Sequence, residues 1–305
     1  MIKTAIVAKR DQLPRRVPTV ALALGGGGAR GLAHVLVLEV FDELGIKPKV
    51  IAGTSIGALY GAAYASGMSA KHIRAMTEET LSRRLDLVRQ LFAARSDPVQ
   101  KFLNLFPLRS ALLKSEAILD LIYPTQVGGD FKSLAIPLRV VATDLGTRAQ
   151  IVLSEGPLRP AVAASIAIPI VFQPVVISGR TLVDGGLVNP LPFDLVADDA
   201  DLTVAIDVSG SASDALFSTQ PSAIMLAAQS LQIMEKSITR EKLLRTKPDI
   251  YIDVEVEKFH ALEFHRALEI LAAAAPMKER LKRQLGRMLE AETLPTHVKS
   301  KGNPK

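Results

Sequence analysis

The sequence predicts an α/β fold in which a mainly parallel sheet is covered by helices on both faces. Three observations support this fold class. Segments with strand character alternate with segments of helical periodicity, several predicted strands are apolar at every position, and glycine-containing turns follow three of the strands. A strand that is apolar throughout is buried on both of its faces, which is typical of parallel sheets with helices on either side.

The predicted strands are short apolar runs that end near glycine, proline or charged residues. They cover Thr19–Leu24, Lys49–Ala52, Val140–Thr143, Ile151–Leu153, Val171–Ile177, Thr181–Val183, Thr203–Val208 and Ile250–Val254. Most predicted helices repeat apolar residues every three or four positions, and several begin at a serine or end at a glycine. They cover Arg30–Leu44, Ala58–Ala65, Ser69–Thr80 with a continuation to residue 92, Ser115–Tyr123, Leu158–Ser165, Ser222–Leu244 and Leu262–Leu289.

The composition is that of a globular protein of 305 residues, with 48% apolar and 22% charged residues. A chain of this length forms a core that needs no disulfide or structural metal. Cysteine is absent, which excludes a disulfide framework, a thiol nucleophile and every cysteine-ligated metal site, and which fits a reducing cytoplasm. No apolar run reaches the roughly 18 residues of a membrane-spanning helix, so we expect none.

The net charge of +6 is concentrated in three basic segments, 1–16, 81–114 and 278–305. Such segments suit nucleic acids or anionic membrane surfaces, but solvated basic faces and tails explain each of them as well. With ten phenylalanines, four tyrosines and no tryptophan, the chain is poor in the aromatic residues on which single-stranded bases stack. We therefore predict no nucleic-acid partner.

The first candidate site is the glycine run at 25–31, GGGGARG, between a predicted strand and a predicted helix. Gly26, Gly28 and Gly31 fit the spacing G-x-G-x-x-G, which is typical of dinucleotide binding. That function also requires an acidic residue about 20 positions later, where this chain has only lysines. A nucleotide-dependent oxidoreductase is therefore the weaker hypothesis. Consecutive glycines at a helix start do expose backbone N–H groups to an anion.

A nucleophile elbow is the second candidate. Residues 53–57, GTSIG, have the pattern G-x-S-x-G between a predicted strand and a predicted helix. In such an elbow a sharp turn exposes the serine, and the flanking Gly53 and Gly57 make room for the strained backbone. The helix that follows favours negative charge as it develops. The alternative is that Ser55 merely caps that helix.

Asp184 is the third candidate, because the sequence VDGG brings this carboxylate to the end of a predicted strand beside Gly185 and Gly186. The alternative is a turn that simply ends the strand. Asp144 and Asp207 also end predicted strands, but neither precedes two glycines.

A serine nucleophile needs a base. The three histidines that follow Asp184 lie near a helix start or in a polar tail. His34 lies on the helix after the glycine run, where we expect it to pack or to hold that helix. The residues therefore favour a Ser–Asp dyad in which the carboxylate takes the serine proton directly.

Together, the three motifs resemble those of the patatin-like phospholipases, whose pattern is G-G-G-x-[RK]-G, then G-x-S-x-G, then D-G-[AG]. Here they stand at 26–31, 53–57 and 184–186, in the same order and the same context. Two further segments are similar, VATDL at 141–145 and ASIAIP at 164–169.

The resemblance covers about residues 19–197 and implies a bacterial patatin-like protein with a three-layer α/β/α sandwich. Residues 19–197 would be its catalytic core, and 198–290 would complete the same domain, since 249–270 resembles the family's C-terminal strand and helix. We expect residues 1–18 and 291–305 to be flexible ends.

The resemblance also implies a serine-dependent lipid acyl hydrolase of the phospholipase A, lysophospholipase or esterase type, with no metal and no cofactor. Ser55 would be the nucleophile and Asp184 the base. The N–H groups of Gly27 and Gly28 would form the oxyanion hole, and Arg30 would steady the loop or an anionic head group. The other residues of the implied site are Gly26 and Gly31 of the glycine loop, Gly53 and Gly57 of the elbow, and Gly185 and Gly186 of the Asp-Gly-Gly motif.

Residues 81–114 interleave apolar and basic side chains, which leaves three interpretations open. They are contact with an anionic membrane, a lid above Ser55, or ordinary helices packed on the sheet. The first would place the protein at the inner membrane face, as a peripheral cytoplasmic protein. The helices at 222–244 and 262–289 are candidates for pairing between two copies of the chain.

The rival function is a catalytically weak regulatory or membrane-adaptor protein on the same fold, because a fold alone does not determine activity.

Overall fold

The computed structural model describes residues 16–80, 114–116, 119, 129–210 and 223–292. Within them, one eight-stranded sheet comprises β1 (Val20–Leu24), β2 (Val50–Thr54), β3 (Leu138–Asp144), β4 (Ala149–Leu153), β5 (Val175–Ile177), β6 (Arg180–Asp184), β7 (Leu202–Asp207) and β8 (Ile250–Asp253). The helices of the described residues are α1 (His34–Glu43), α2 (Ile56–Ala65), α3 (70–80), α4 (Leu158–Ser165), α5 (Ala223–Arg245) and α6 (Ala267–Glu292).

The sheet has the strand order β5-β6-β3-β2-β1-β7-β8, and β4 also pairs with β3. Strands β3, β2, β1, β7 and β8 run parallel to one another. Strands β4 and β6 are antiparallel to β3, and β5 is antiparallel to β6. The predicted mainly parallel α/β sheet is thus confirmed, with antiparallel strands gathered at one end.

Both faces of the sheet are buried, and they differ in side-chain size. In β1, Val20, Leu22 and Leu24 join a large apolar cluster with residues of α1, α2, α4 and α6. The alternate residues Ala21 and Ala23 face a smaller cluster, in which residues 191–196 and Leu243 of α5 take part. Because strand side chains alternate between faces, one strand thereby lies between two layers. This confirms the three-layer α/β/α sandwich.

Two strands share one edge of β3 and meet there end to end. Along β3, the pairing with parallel β2 ends where Thr54 lies opposite Val141. The pairing with antiparallel β6 starts at the next residue of β3, where Asp184, the last residue of β6, lies opposite Ala142. Strand β4 occupies the opposite edge of β3. Because β2 and β6 run in opposite directions, their C-terminal ends face each other. The topology therefore brings the residue after Thr54 next to Asp184.

Two predicted elements are wrong at their starts. The strand predicted over Val171–Ile177 is regular only from Val175, because the chain turns at Ile168–Phe172 and passes Pro174 before it pairs. The helix predicted from Leu262 begins at Ala267 instead. Residues 261–262 form a turn and Phe264–Arg266 a 3-10 helix, and the carbonyl oxygen of Ala261 accepts the Ala29 N–H at 2.7 Å.

The helix predicted over residues 81–92, most of that predicted over 115–123, and the basic segments at 1–15, 81–113 and 293–305 lie outside the described residues. Among the helices that are described, none is long and apolar enough to cross a membrane.

Two helical glycines provide a test of how closely α2 packs against the backbone of β1. A Cβ on Gly57 in α2 would lie 2.1 Å from the carbonyl oxygen of Leu24, whereas one on Gly286 in α6 would meet nothing within 4 Å. We expect Gly57→Ala to lower the free energy of unfolding by at least about 2 kcal/mol, through overpacking against backbone. The matched Gly286→Ala should raise it by about 0.5–1 kcal/mol, because alanine favours a helix. Urea unfolding followed by circular dichroism measures both; a Gly57→Ala protein as stable as the parent would contradict this packing.

Candidate active site

Ser55 stands at a sharp turn between β2 and α2. Its backbone has φ 54° and ψ −124°, a conformation that strains any residue with a Cβ. Its amide donates a hydrogen bond to Ser165 Oγ at 2.9 Å, and the Ser165 hydroxyl donates in turn to the Val141 carbonyl oxygen at 2.6 Å. Ser165 therefore ties the strained turn to the edge of β3, with α2 starting directly behind the serine.

Asp184 is the hydrogen-bond partner of the Ser55 hydroxyl. The Ser55 hydroxyl donates to Asp184 Oδ2 at 2.6 Å, and the Gly186 amide donates to Oδ1 at 2.8 Å. The backbone of Asp184 is held as well, because its carbonyl oxygen accepts from Thr143 Oγ1 at 2.7 Å and its amide donates to Ala167. The carboxylate is thus fixed in position and direction before any ligand binds.

Burial of Asp184 makes its carboxylate more basic than usual. Removal from water raises the pKa of Asp184 to about 6, while the hydrogen bonds from Ser55 and Gly186 act in the opposite direction. Near pH 7 the group is therefore mainly ionised, but it holds a proton more readily than an ordinary aspartate. This is what a base for the Ser55 hydroxyl requires.

The other predicted candidates for a base are engaged elsewhere. Asp144 pairs with Arg180 at 3.1 Å, and Asp207 pairs with Lys236 at 2.9 Å. His34 is fully buried, and its Nε2 donates to the Gly25 carbonyl oxygen at 2.9 Å. Within the described part of the chain, Asp184 is the one hydrogen-bond partner of the Ser55 hydroxyl.

The glycine loop lies next to Ser55, and two of its amides have no hydrogen-bond acceptor among the described residues. The Gly25, Gly26 and Ala29 amides donate to backbone carbonyl groups, but among the described residues no acceptor takes the N–H of Gly27 or Gly28. A Cβ on Gly26 would stand 3.5 Å from the Ser55 Cβ. The structure therefore brings these glycines together with Ser55, as the sequence predicted, in an arrangement suited to an oxyanion.

The remaining predicted glycines all lie at close approaches of the backbone. Gly28 has φ 58°, and its Cβ would stand 2.2 Å from the Ala261 carbonyl oxygen. The others meet a neighbouring residue in the same way: Gly31 meets Ile56, Gly53 meets Ala58, Gly185 meets Val141, and Gly186 meets Glu235. At Gly28, Gly53 and Gly185 the nearest atoms belong to the backbone, so a side chain there would push apart the segments that form the site.

Arg30 is buried beneath the glycine loop. Its Nε donates to the Gly27 carbonyl oxygen at 3.4 Å, and its Nη2 has no hydrogen-bond partner among the described residues. Burial lowers the pKa of Arg30 to about 10, although the charges of Glu235, Asp207 and Asp253 act in the opposite direction. The side chain is therefore still positively charged at neutral pH. Its direct contact is with the loop.

A cavity opens in front of Ser55 and Asp184, and its lining has a polar and an apolar part. Residues 26–28, Arg30 and Glu235 belong to the polar part. The apolar walls include Ile168, Pro169, Ile170, Val171, Leu187 and Leu231. A hydrophobic cavity that leads to a few convergent polar groups suits an acyl chain that ends in an ester. No group of three or more metal-ligating side chains occurs among the described residues.

Two residues of this arrangement are not singled out by the sequence motifs. Ser165 falls within the segment ASIAIP, which carries the family resemblance but gives no indication of a bond to the Ser55 amide. Glu235 lies in the middle of the long helix α5 and reaches the cavity only through the tertiary fold. Its place in the sequence offers no signal of that position.

The strain at Ser55 has a measurable cost in stability. We expect Ser55→Gly to be about 1 kcal/mol more stable than Ser55→Ala, because glycine adopts this backbone conformation freely while alanine keeps the strained Cβ. Both variants lack the hydroxyl, so the comparison isolates the backbone. Urea unfolding of the two proteins measures the difference. A Ser55→Gly protein no more stable than Ser55→Ala would show that the turn is unstrained.

The burial of an ionised Asp184 should destabilise the folded protein at neutral pH. The pKa of Asp184 is raised from 3.8 to about 6, so the unfolded chain loses this proton first, and stability falls as the pH rises through that window. We expect Asp184→Asn to be about 1–3 kcal/mol more stable than the parent protein above pH 6 and equally stable below pH 4. Thermal unfolding at several pH values measures this; a less stable Asp184→Asn protein at pH 7 would contradict it.

Comparison with known proteins places this site in a family. The sequence profile of the patatin-like phospholipases matches residues 22–197. An uncharacterized NTE family protein of Mycobacterium tuberculosis is 38% identical over 200 residues, which are 64% of this chain and 50% of that protein. Human patatin-like phospholipase domain-containing protein 6 is 32% identical over 204 residues, which are 66% of this chain and 14% of that protein. The structure of VipD from Legionella pneumophila covers 85% of this chain and 67% of its own, at 15% identity and a TM-score of 0.41.

The chain spans about half the length of this Mycobacterium tuberculosis relative. The matched family region covers more than half of this chain and contains Ser55, Asp184 and the glycine loop. The chain therefore belongs to the patatin-like phospholipase family.

Proposed function

We propose that this protein hydrolyses acyl esters of lipids, with Ser55 as the nucleophile and Asp184 as its base. The observation that carries the proposal is the 2.6 Å hydrogen bond from the Ser55 hydroxyl to Asp184 Oδ2, made at a strained turn beside unoccupied glycine amides. Membership of a family named for phospholipases supports a lipid substrate.

The acylation half of the reaction follows from this geometry. Ser55 Oγ attacks the ester carbonyl carbon while Asp184 Oδ2 accepts the hydroxyl proton. When the C–O bond of the ester breaks, Asp184 returns that proton to the departing alcohol oxygen. The result is an acyl group on Ser55, a free alcohol and an ionised Asp184.

Deacylation uses the same residues in reverse. Asp184 takes a proton from water as the water oxygen attacks the acyl carbon, and it returns the proton to Ser55 Oγ as that bond breaks. The free fatty acid leaves and the dyad is restored. No histidine is needed, because Asp184 contacts the Ser55 hydroxyl directly.

The oxyanion of each tetrahedral intermediate would be held by the N–H groups of Gly27 and Gly28. One such donor is typically worth about 3–4 kcal/mol in the transition state. The Arg30 guanidinium supports these donors from below, since it binds the carbonyl oxygen of Gly27 and adds positive charge near the site. In this proposal Arg30 is a positioning residue.

The decisive experiment combines turnover with labelling of the nucleophile. We expect Ser55→Ala and Asp184→Asn each to lower kcat by at least about a thousandfold on a panel of phospholipid, lysophospholipid and neutral acyl esters. The expected cause is loss of the nucleophile or of its base, with folding retained in circular dichroism. A fluorophosphonate probe should label Ser55 in the parent protein and leave Ser55→Ala unlabelled.

Asp144→Asn serves as the matched control, because Asp144 also ends a strand but pairs with Arg180 away from the Ser55 hydroxyl. It should keep its turnover. A parent protein that neither hydrolyses these esters nor reacts with the probe would overturn the proposal. That result would instead favour a regulatory or membrane-adaptor role on the same fold.

A further inference from the structure

Glu235 is a second carboxyl group in the active-site cavity. It lies on α5, is half-buried, and lines the cavity together with Ser55 and Asp184. The point where a Cβ of Gly186 would stand is 2.4 Å from Glu235 Oε1 and 3.1 Å from Asp184 Oδ1. The two carboxyl groups thus converge on the Asp-Gly-Gly turn from opposite elements, α5 and β6.

Burial and the neighbouring Asp184 charge favour the neutral form of Glu235. Among the described residues, the charged groups that act on it are Asp184, Asp207 and Arg30. Burial and then the Asp184 charge raise the pKa of Glu235 to about 8, against the attraction of Arg30. The pKa of Asp184 is raised only to about 6. Of the two carboxyl groups, Glu235 therefore keeps its proton to the higher pH.

We propose that Glu235 is a further catalytic residue of this site: as a carboxylic acid it donates a hydrogen bond to an oxygen of the bound ester. This inference rests on the ester hydrolysis proposed above and adds a donor to it. A neutral carboxyl offers one O–H, whereas a carboxylate only accepts hydrogen bonds.

Such a donor would add to those that the proposed mechanism already supplies. Asp184 in its ionised form cannot donate, and in the proposed mechanism the amides of Gly27 and Gly28 hold the oxyanion. Glu235 faces the same cavity from the side of Gly186 and supplies an O–H there. Once ionised, it loses this O–H and places a second negative charge near the developing oxyanion, so both effects slow the reaction.

The test is the pH dependence of kcat/KM for a soluble ester, compared among three variants. For the parent protein we expect activity to rise near pH 6, as Asp184 ionises, and to fall near pH 8, as Glu235 ionises. Glu235→Gln keeps an N–H donor that does not titrate, so it should lose the fall and exceed the parent about tenfold at pH 9. Glu235→Leu has no donor and should be about tenfold less active than Glu235→Gln at pH 7.

Glu241→Gln on the exposed part of the same helix is the matched control and should keep both limbs of the profile. Circular dichroism and the rate of fluorophosphonate labelling confirm that each variant is folded with a reactive Ser55. The proposal is overturned if Glu235→Gln still loses activity near pH 8, or if Glu235→Leu equals Glu235→Gln.

Different results would overturn the proposed role of Glu235 and the proposed hydrolase function. Turnover that depends on Ser55 but ignores Glu235 removes only the role of Glu235. A parent protein without Ser55-dependent turnover removes the hydrolase proposal and, with it, this inference.

Discussion

The active-site arrangement depends on one hydrogen bond, from the Ser55 hydroxyl to Asp184, and that bond depends on strand register. Strands β2 and β6 meet end to end along β3, with Thr54 opposite Val141 and Asp184 opposite Ala142. Because side chains alternate between the faces of a strand, a slip of β6 by one residue would turn Asp184 to the opposite face. The pairing of three strands therefore determines the contact between two side chains that lie 129 positions apart in the sequence.

The site concentrates unfavourable features that the rest of the fold has to offset. Ser55 has a strained backbone, Asp184 is an acid in a buried position, and Arg30 keeps a buried nitrogen without a partner among the described residues. Each of these destabilises the folded state by roughly 1–3 kcal/mol. They are tolerated because strands such as β1 are buried on both faces, in two apolar clusters. Local strain of this kind persists where the surrounding structure holds it in place.

Much of this arrangement could be predicted from the sequence, because its signals are local. Apolar runs located most strands, and the glycine loop, the elbow and Asp184 each carry a recognisable pattern. The remainder depends on contacts between distant segments. The late start of α6 follows from the bond between Ala261 and Ala29, and Ser165 acts through the edge of β3. No local pattern encodes either contact, so periodicity alone could not predict them.

Under the proposed function, the helix α5 relates the fold to the choice of substrate. The family match ends at residue 197, whereas α5 begins at Ala223, so Ser55, Asp184 and the glycine loop come from one part of the chain and α5 from another. Yet Leu231, Gln232 and Glu235 of α5 line the cavity in front of Ser55. Residues that touch the substrate away from the reacting bond decide which substrate reaches it. Under the proposed function, α5 would therefore contribute to the choice of substrate, while Ser55, Asp184 and the glycine loop would carry out the reaction.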